Sequence, residues 1–377
     1  MSEQKRVDER PNVREPSVML SDITSDLIWP RILRAPALAL SPSRVITGSV
    51  CAFLLSIILQ LTIFFKPHEG QSSQGVYAEI SGVFDRLRFV LGLLIESIFD
   101  LNPTGFAQSI GLGASLIRDT VMESPMISLL LGLPLIAVLS VAGGAIARSS
   151  AVEFGTGRFA SSDDTLRFAL HRARHFVGAV VGPIIVCTLI FLLIAIGGVF
   201  LSVPVLDVLG SILYLPALIL GIFATIILML HVLALPMIVP ALAVEGTDAF
   251  DAIQRSYAYV ISKPLRYLVY AVLLLGLGIV SAGIFTMLAQ GSIEMTNWAA
   301  SFWASDSTSR VLTNEGEMGA TKGIAHAIIS IWHAVIELIV AGYVISLFFT
   351  SSTLLYLVTR RVCDGQGINE LWDGEGA

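Results

Sequence analysis

Few residues in this sequence have the means to move protons or hold ions. His231 stands between Leu230 and Val232, inside a long apolar run. His326, His333 and Glu337 recur at i, i+7 and i+11, a spacing that places them on one face of a helix. Ionisable groups at membrane depth are costly, and they mark proton relays, ion paths and ligand sites. His231, His333 and Glu337 are therefore the candidate intramembrane polar site, and proton relay or gating is the chemistry they would share. The plainer role is hydrogen bonding between helices, which for His231 means a neutral ring bonded to a neighbouring helix. Depth also separates the members. With Arg360 at one boundary of the last apolar run, Glu337 falls at the other, and His326 and His333 lie outside the hydrocarbon.

Other chemistry is thinly represented. Cys51, Cys187 and Cys363 are far apart and match neither a disulfide framework nor a zinc spacing. No metal site and no cofactor is expected. The chain lacks the phosphate-loop, dinucleotide, HExxH and GxSxG patterns. Gly111 and Gly113 lack the third glycine, and Gly316 to Gly323 has a lysine at the wrong spacing. The chain is expected not to be an enzyme. Arg167, His171 and Arg174 form a cationic face on a short helical segment. Such a face suits anionic lipid headgroups better than nucleic acid, so Arg167 and Arg174 are the candidate headgroup contacts.

The elements that must position these residues are dictated by composition. Of 377 residues, 55% are hydrophobic and only 14% charged. Soluble domains carry about 25% charged residues, so this chain lacks the polar skin that water requires. Six stretches are free of charge: 45–65, 125–147, 176–206, 208–244 (broken only by His231), 267–293 and 338–359. Each is long enough for the roughly 20 residues that a helix needs to cross a bilayer. Lipid satisfies no free backbone group, so the runs must be helices, being too uniform for barrel strands. The expected fold is an all-α polytopic bundle of about six transmembrane helices, near 45–65, 126–147, 178–202, 210–235, 268–290 and 336–359. Residues 1–44 form an N-terminal segment with a short amphipathic helix, and 360–377 form a tail. Pro236 and Pro240 are expected to end or kink the fourth helix. No cleavable signal peptide is expected, because the first 42 residues are polar or broken by proline.

Basic residues set the orientation. With six spans and the N-terminus inside, 17 of the 23 Lys and Arg residues lie on the inner side. Both termini are therefore expected in the cytoplasm, and the inner (plasma) membrane is the expected location. On the outer side, 66–124 contains an interrupted apolar stretch from Phe89 to Leu101 that reads as an interfacial or partly re-entrant helix. Residues 294–323 are polar and carry Trp298 and Trp303, which favour the membrane boundary. Small residues recur four apart, as in Gly178 with Gly182 and Gly278 with Ala282, and favour close packing of helices, within one subunit rather than between subunits.

The inner segments before the third and fifth spans look alike. Leu166, Ala169, Leu170 and Ala173 share a helical face, as do Phe250, Ile253, Tyr257 and Val260. Ala169-Leu170-His171-Arg172 aligns with Ala252-Ile253-Gln254-Arg255. The expectation is a parallel repeat of amphipathic helix plus helical hairpin, with 21–40 as a proline-broken third copy.

The segment Pro240 to Ser256, with its Glu-Gly turn, Ala-rich amphipathic helix ending at Arg255-Ser256 and following apolar span, resembles a group of bacterial multi-span membrane domains. That group includes the membrane domain of glycerophosphodiester phosphodiesterases. The resemblance covers roughly 236–290 and implies a multi-span membrane domain. The phosphodiesterase catalytic domain is absent, so it implies no activity and transfers no functional residue. Taken together, the chain reads as a membrane scaffold or accessory subunit that organises lipid or partner proteins. A transporter or permease for a small or lipid-like substrate is the alternative. Membrane lipid and membrane proteins are the expected partners, and nucleic acid is not.

Overall fold

A computed structural model describes residues 29–60, 102–123, 125–202, 204–302 and 320–372, with isolated positions between 86 and 100. Among the described residues every regular element is a helix. They are α1 (Trp29–Ile32), α2 (Ala35–Ala39), α3 (Pro42–Gln60), α4 (Pro103–Glu123), α5 (Pro125–Thr156), α6 (Ser162–His171), α7 (Ala173–Phe200), α8 (Leu206–Glu245), α9 (Ala249–Ser262), α10 (Pro264–Ser301) and α11 (Ala320–Asp364). Six of them, α3, α5, α7, α8, α10 and α11, are long and apolar enough to cross a membrane. The chain is a polytopic α-helical membrane bundle. The expected interfacial helix around Phe89 to Leu101 falls largely outside the described residues, as does Trp303.

The spans pack in a cyclic order. α5, α8 and α11 touch one another and form the centre. α3 packs against α11 and α5, and α7 against α5 and α8. α10 packs along α11 and reaches α8 through Tyr267, whose hydroxyl donates to the Leu233 carbonyl. The short helices follow the same order: α2 rests on α11, α6 on α5 and α9 on α8. Each lies on the central span of the preceding hairpin, the arrangement that a threefold repeat of short helix plus hairpin would produce.

Burial is concentrated at one end of this centre. Residues 145–147, 237–244 and 352–360 are buried, whereas the remainder of the spans is largely exposed leucine, isoleucine, valine and phenylalanine. Without water to drive helices together, close backbone approach decides where they meet. α3 and α11 cross at Gly48 and Gly342, where a Cβ on Gly48 would stand 2.2 Å from the Gly342 carbonyl oxygen. Ser150 of α5 and Thr350 of α11 share a hydrogen bond of 3.0 Å in the core.

All three central spans close alike. The amide of Gly157 donates to Glu153 O, that of Gly246 to Leu242 O and that of Gly365 to Arg361 O, at 2.9, 3.0 and 3.1 Å. These glycines have φ of 69°, 60° and 69°, a left-handed conformation that lets a helix stop without a Cβ clash.

Of the two outcomes expected at Pro236 and Pro240, an end of the helix does not occur, and the fifth span is longer than expected. α8 runs unbroken through Pro236 and Pro240 to Glu245, and α10 continues through 294–301. Pro236 has no N–H to give the Val232 carbonyl one turn back. In the same turn the Tyr267 hydroxyl donates to the Leu233 carbonyl, so this proline-bearing turn gains a donor from α10.

Gly48→Ala is expected to force α3 off α11 and destabilise the protein by about 1–3 kcal/mol. Gly276→Ala, where a Cβ meets nothing within 4 Å, is the control. Melting in detergent followed by tryptophan fluorescence checks this: a drop for the first and no change for the second.

Candidate functional site

His231 is buried, 4% exposed. Its Nε2 lies 3.0 Å from the Val180 carbonyl and its Nδ1 lies 3.1 Å from the Tyr257 hydroxyl. A carbonyl only accepts, so Nε2 carries the proton and Nδ1 accepts from Tyr257. Burial pushes the Tyr257 phenol up to about 12, which keeps it protonated and a donor. The carbonyl has a reason to need a partner. Pro183 lies three residues beyond Val180 in α7 and leaves the preceding turn short of a backbone donor. His231 answers Pro183 as Tyr267 answers Pro236. It fastens α8 to α7 and α9, in the way the plainer sequence reading describes.

His333 and Glu337 do not join it. Both stand on the N-terminal half of α11, where Glu337 is exposed and His333 half-buried. Glu337 is 23 residues from the buried Arg360, roughly 34 Å along a helix, a distance greater than a hydrocarbon core of about 30 Å. His326, also half-buried, lies near its own-turn neighbour Ser330 at 3.3 Å. Arg167 and Arg174 are exposed on and just beyond α6, Arg167 pairing with Asp163 at 2.9 Å. Gly178 and Gly182 of α7 face Ala249 and Ile253 of α9, so this small pair packs within the chain.

What sequence reasoning missed is a polar collar where the central spans end. Glu245, closing α8, accepts from Arg360 at 2.8 Å and from Tyr356 at 3.0 Å, and lies 3.7 Å from Arg255. Arg360 also donates to Gln366 at 2.5 Å and to the Glu370 carbonyl at 2.8 Å. Asp364, closing α11, accepts from Tyr259 of α9. Burial, then the Asp364 carboxylate, push the Tyr259 phenol well above its ordinary value. Near the end of α5, Glu153 pairs with Arg44, whose guanidinium also reaches Ser149 and the Leu38 carbonyl.

The tail folds back over this collar. The Trp372 amide donates to Val244 O at 3.0 Å, and its carbonyl accepts from Arg148 at 2.6 Å. Its ring lies over the Arg172 guanidinium, 4.6 Å away, and against Gly246, where a Cβ would stand 2.4 Å from it. Arg172, which follows α6 directly, and Arg255 of α9, aligned in sequence, both converge on the end of α8, Arg172 through the Gly246 and Thr247 carbonyls. Part of the signal for the collar was present: an acidic residue directly precedes the closing glycine in Glu245-Gly246 and Asp364-Gly365, and Glu153 stands four residues before Gly157.

Among the described residues, grooves lie between neighbouring spans. One of about 380 Å³ lies between α10 and α11 at Pro236. A second, of about 600 Å³, runs between α3 and α5 under α6. The third, of about 670 Å³, lies among α3, α10 and α11. Their walls are mainly leucine, isoleucine, valine, phenylalanine and alanine with a few hydroxyls, and the second also includes Cys51 and Asp163. Among the described residues no group of three or more His, Cys, Asp or Glu side chains could hold a metal ion.

Replacing His231 by Phe strands Val180 O and the Tyr257 hydroxyl, and is expected to cost about 1–3 kcal/mol, with His231→Gln between it and the parent. Detergent melting curves give the order, and equal stability for Phe and parent would remove the structural role. Glu245→Leu leaves the Arg360 guanidinium buried without its carboxylate and is expected to cost about 3–5 kcal/mol, while Glu245→Leu with Arg360→Met recovers most of it. The same melts, read as a double-mutant cycle, check the pairing. Compared with known proteins, the chain matches no family model, and no curated protein or solved structure matches it significantly.

Proposed function

We propose that this integral membrane protein is a scaffold or accessory subunit that organises lipid and membrane-protein partners, with no catalytic step of its own. The observation that carries this reading is where the space lies. The grooves lie between neighbouring spans, and exposed apolar residues such as Val50, Phe53, Leu275 and Phe348 line them, a lining that suits lipid. The centre between α5, α8 and α11 is packed with alanine, valine, leucine and tyrosine. His231, the residue that would have favoured a transport path, has both ring nitrogens engaged by helix-to-helix bonds.

Several features support the reading of the end bearing α6 and α9 as a membrane boundary. Phe159, Leu170, Phe250 and Leu265 are exposed there, beside Arg158, Arg167, Arg174 and Lys263. Apolar side chains among basic ones suit the headgroup layer, with Arg167 and Arg174 as its contacts. On the positive-inside rule this end is cytoplasmic, which puts both termini in the cytoplasm of a cell bounded by the inner (plasma) membrane. The likeness of 236–290 to the bacterial membrane-domain group fits the same reading.

The test is reconstitution in liposomes that hold a pH-sensitive dye under an imposed proton gradient. Neither the parent nor His231→Ala is expected to carry protein-dependent flux, while the purified parent retains bound lipid. Flux in the parent that disappears in His231→Ala would replace this reading with a transporter.

A further inference from the structure

We propose that the groove between α3 and α5, closed at one end by α6, is a binding site for one acyl chain of an aminophospholipid of the phosphatidylethanolamine type. This rests on the lipid-organising reading above and gives it a ligand class. The groove is lined on α3 by Ile46, Val50 and Leu54 and on α5 by Val138 and Val141, with Leu166 and Leu170 of α6 at one end.

Length is the first argument. Ser43 and Leu54 mark its extent along α3, a rise of roughly 16 Å. That is about half of a 30 Å hydrocarbon core, the depth of one leaflet. Polarity is the second. The walls are apolar apart from Cys51 and the end where α6 begins, and that end gathers Ser43, Thr47, Ser162 and Asp163. There Ser43 Oγ and Ser162 Oγ lie 2.6 Å apart and bridge α3 to α6. An acyl chain with its headgroup at the membrane boundary has this same profile, apolar along its length and polar at one tip.

Charge selects the headgroup. Asp163 and Arg167 form an ion pair at 2.9 Å, with side chains 65% and 77% exposed. Exposed pairs are weakly held, so each partner exchanges readily for a charge brought by a ligand. A phosphoethanolamine carries both charges: its ammonium, with N–H donors, suits Asp163 and the serine hydroxyls, and its phosphate suits Arg167. A phosphatidylglycerol brings only the negative charge, against Asp163 and the adjacent Asp164 in the first turn of α6. Choline brings no N–H donor. The other two grooves have no charged residue in their lining, so they would not discriminate headgroups.

The experiment uses the full chain in phosphatidylcholine vesicles with a trace phosphatidylethanolamine that carries a photoreactive group on its acyl chain. Crosslinked residues are mapped by mass spectrometry. The expected label concentrates on 46–54 and 137–142, and unlabelled phosphatidylethanolamine competes about tenfold better than phosphatidylglycerol. Asp163→Asn, an exposed change that leaves the fold intact, is expected to abolish that preference and keep the label. Val50→Trp with Ala142→Leu, which fills the groove, is expected to remove the label there while the melting temperature stays near the parent's. Equal competition by the two lipids would overturn the headgroup assignment. Saturable label confined to the groove between α10 and α11 would overturn this site and leave the lipid-organising reading standing. Label that nowhere saturates would overturn both.

Discussion

A backbone carbonyl inside a bilayer has no water to turn to, and much of this structure follows from that constraint. Prolines sit within α5, α7 and α8, and each removes a donor from its own helix. At two of them another helix brings a donor to a carbonyl of the turn before the proline. His231 of α8 reaches the Val180 carbonyl before Pro183, and Tyr267 of α10 reaches the Leu233 carbonyl before Pro236. Tyr257 of α9 then bonds His231. α7, α9 and α10 are thus each tied to α8 by a bond centred on one of these two turns. An unusual polar residue in an apolar run is here the complement of an unusual imino acid in another.

The same economy governs the end where the central spans stop. A helix end carries carbonyls without intrahelical partners. Each central span closes with a left-handed glycine, and side chains and the tail reach the carbonyls nearby: Arg148 to Ala243, the Trp372 amide to Val244 and Arg172 to Gly246. The carboxylates at these ends bring arginines with them, and Arg44 and Arg360 are buried as a result. Buried pairs of this kind add little net stability, because desolvation opposes the attraction. They penalise wrong pairings strongly, so they fix which helix lies beside which. Small residues such as Gly48 and Gly342 allow close approach without choosing a partner, and the charge pairs supply that choice.

The helical bundle was legible because its cause is coarse. Runs of twenty or more uncharged residues have no other use in lipid, and their order with the basic loops reproduces six spans. The short amphipathic segments were legible for a similar reason: Ala169 and Ala252, aligned by pattern, are both fully buried. Site assignment was harder. The i, i+7, i+11 spacing of His326, His333 and Glu337 correctly gives one helix face, but a period says nothing about whether that face meets anything. Arg360 reads as a boundary charge, because in a sequence a charge beside an apolar run looks the same whether it is solvated or buried against Glu245. The continuity of α8 through Pro236 depended on a hydroxyl 31 positions away, which no local pattern contains.

The cyclic packing also explains why the grooves are unequal. α6 on α5 and α9 on α8 are equivalent elements, yet an open groove lies under α6. The difference lies in the spans beside them. α7 presents Gly178 and Gly182 to α9, so Ala249 and Ile253 settle against its backbone. α3 presents Ser43, Thr47 and Val50 on the side toward α6, and its Gly48 is turned to α11. Side chains there hold α6 at the distance of a serine–serine hydrogen bond and leave the space below it empty of protein. In a membrane such a space is filled by the solvent, and the solvent is lipid. A repeat that packs tightly at one position and loosely at another therefore separates two tasks. The tight copy binds the bundle together, and the loose copy meets the bilayer with a surface that has both a depth and a charge pattern.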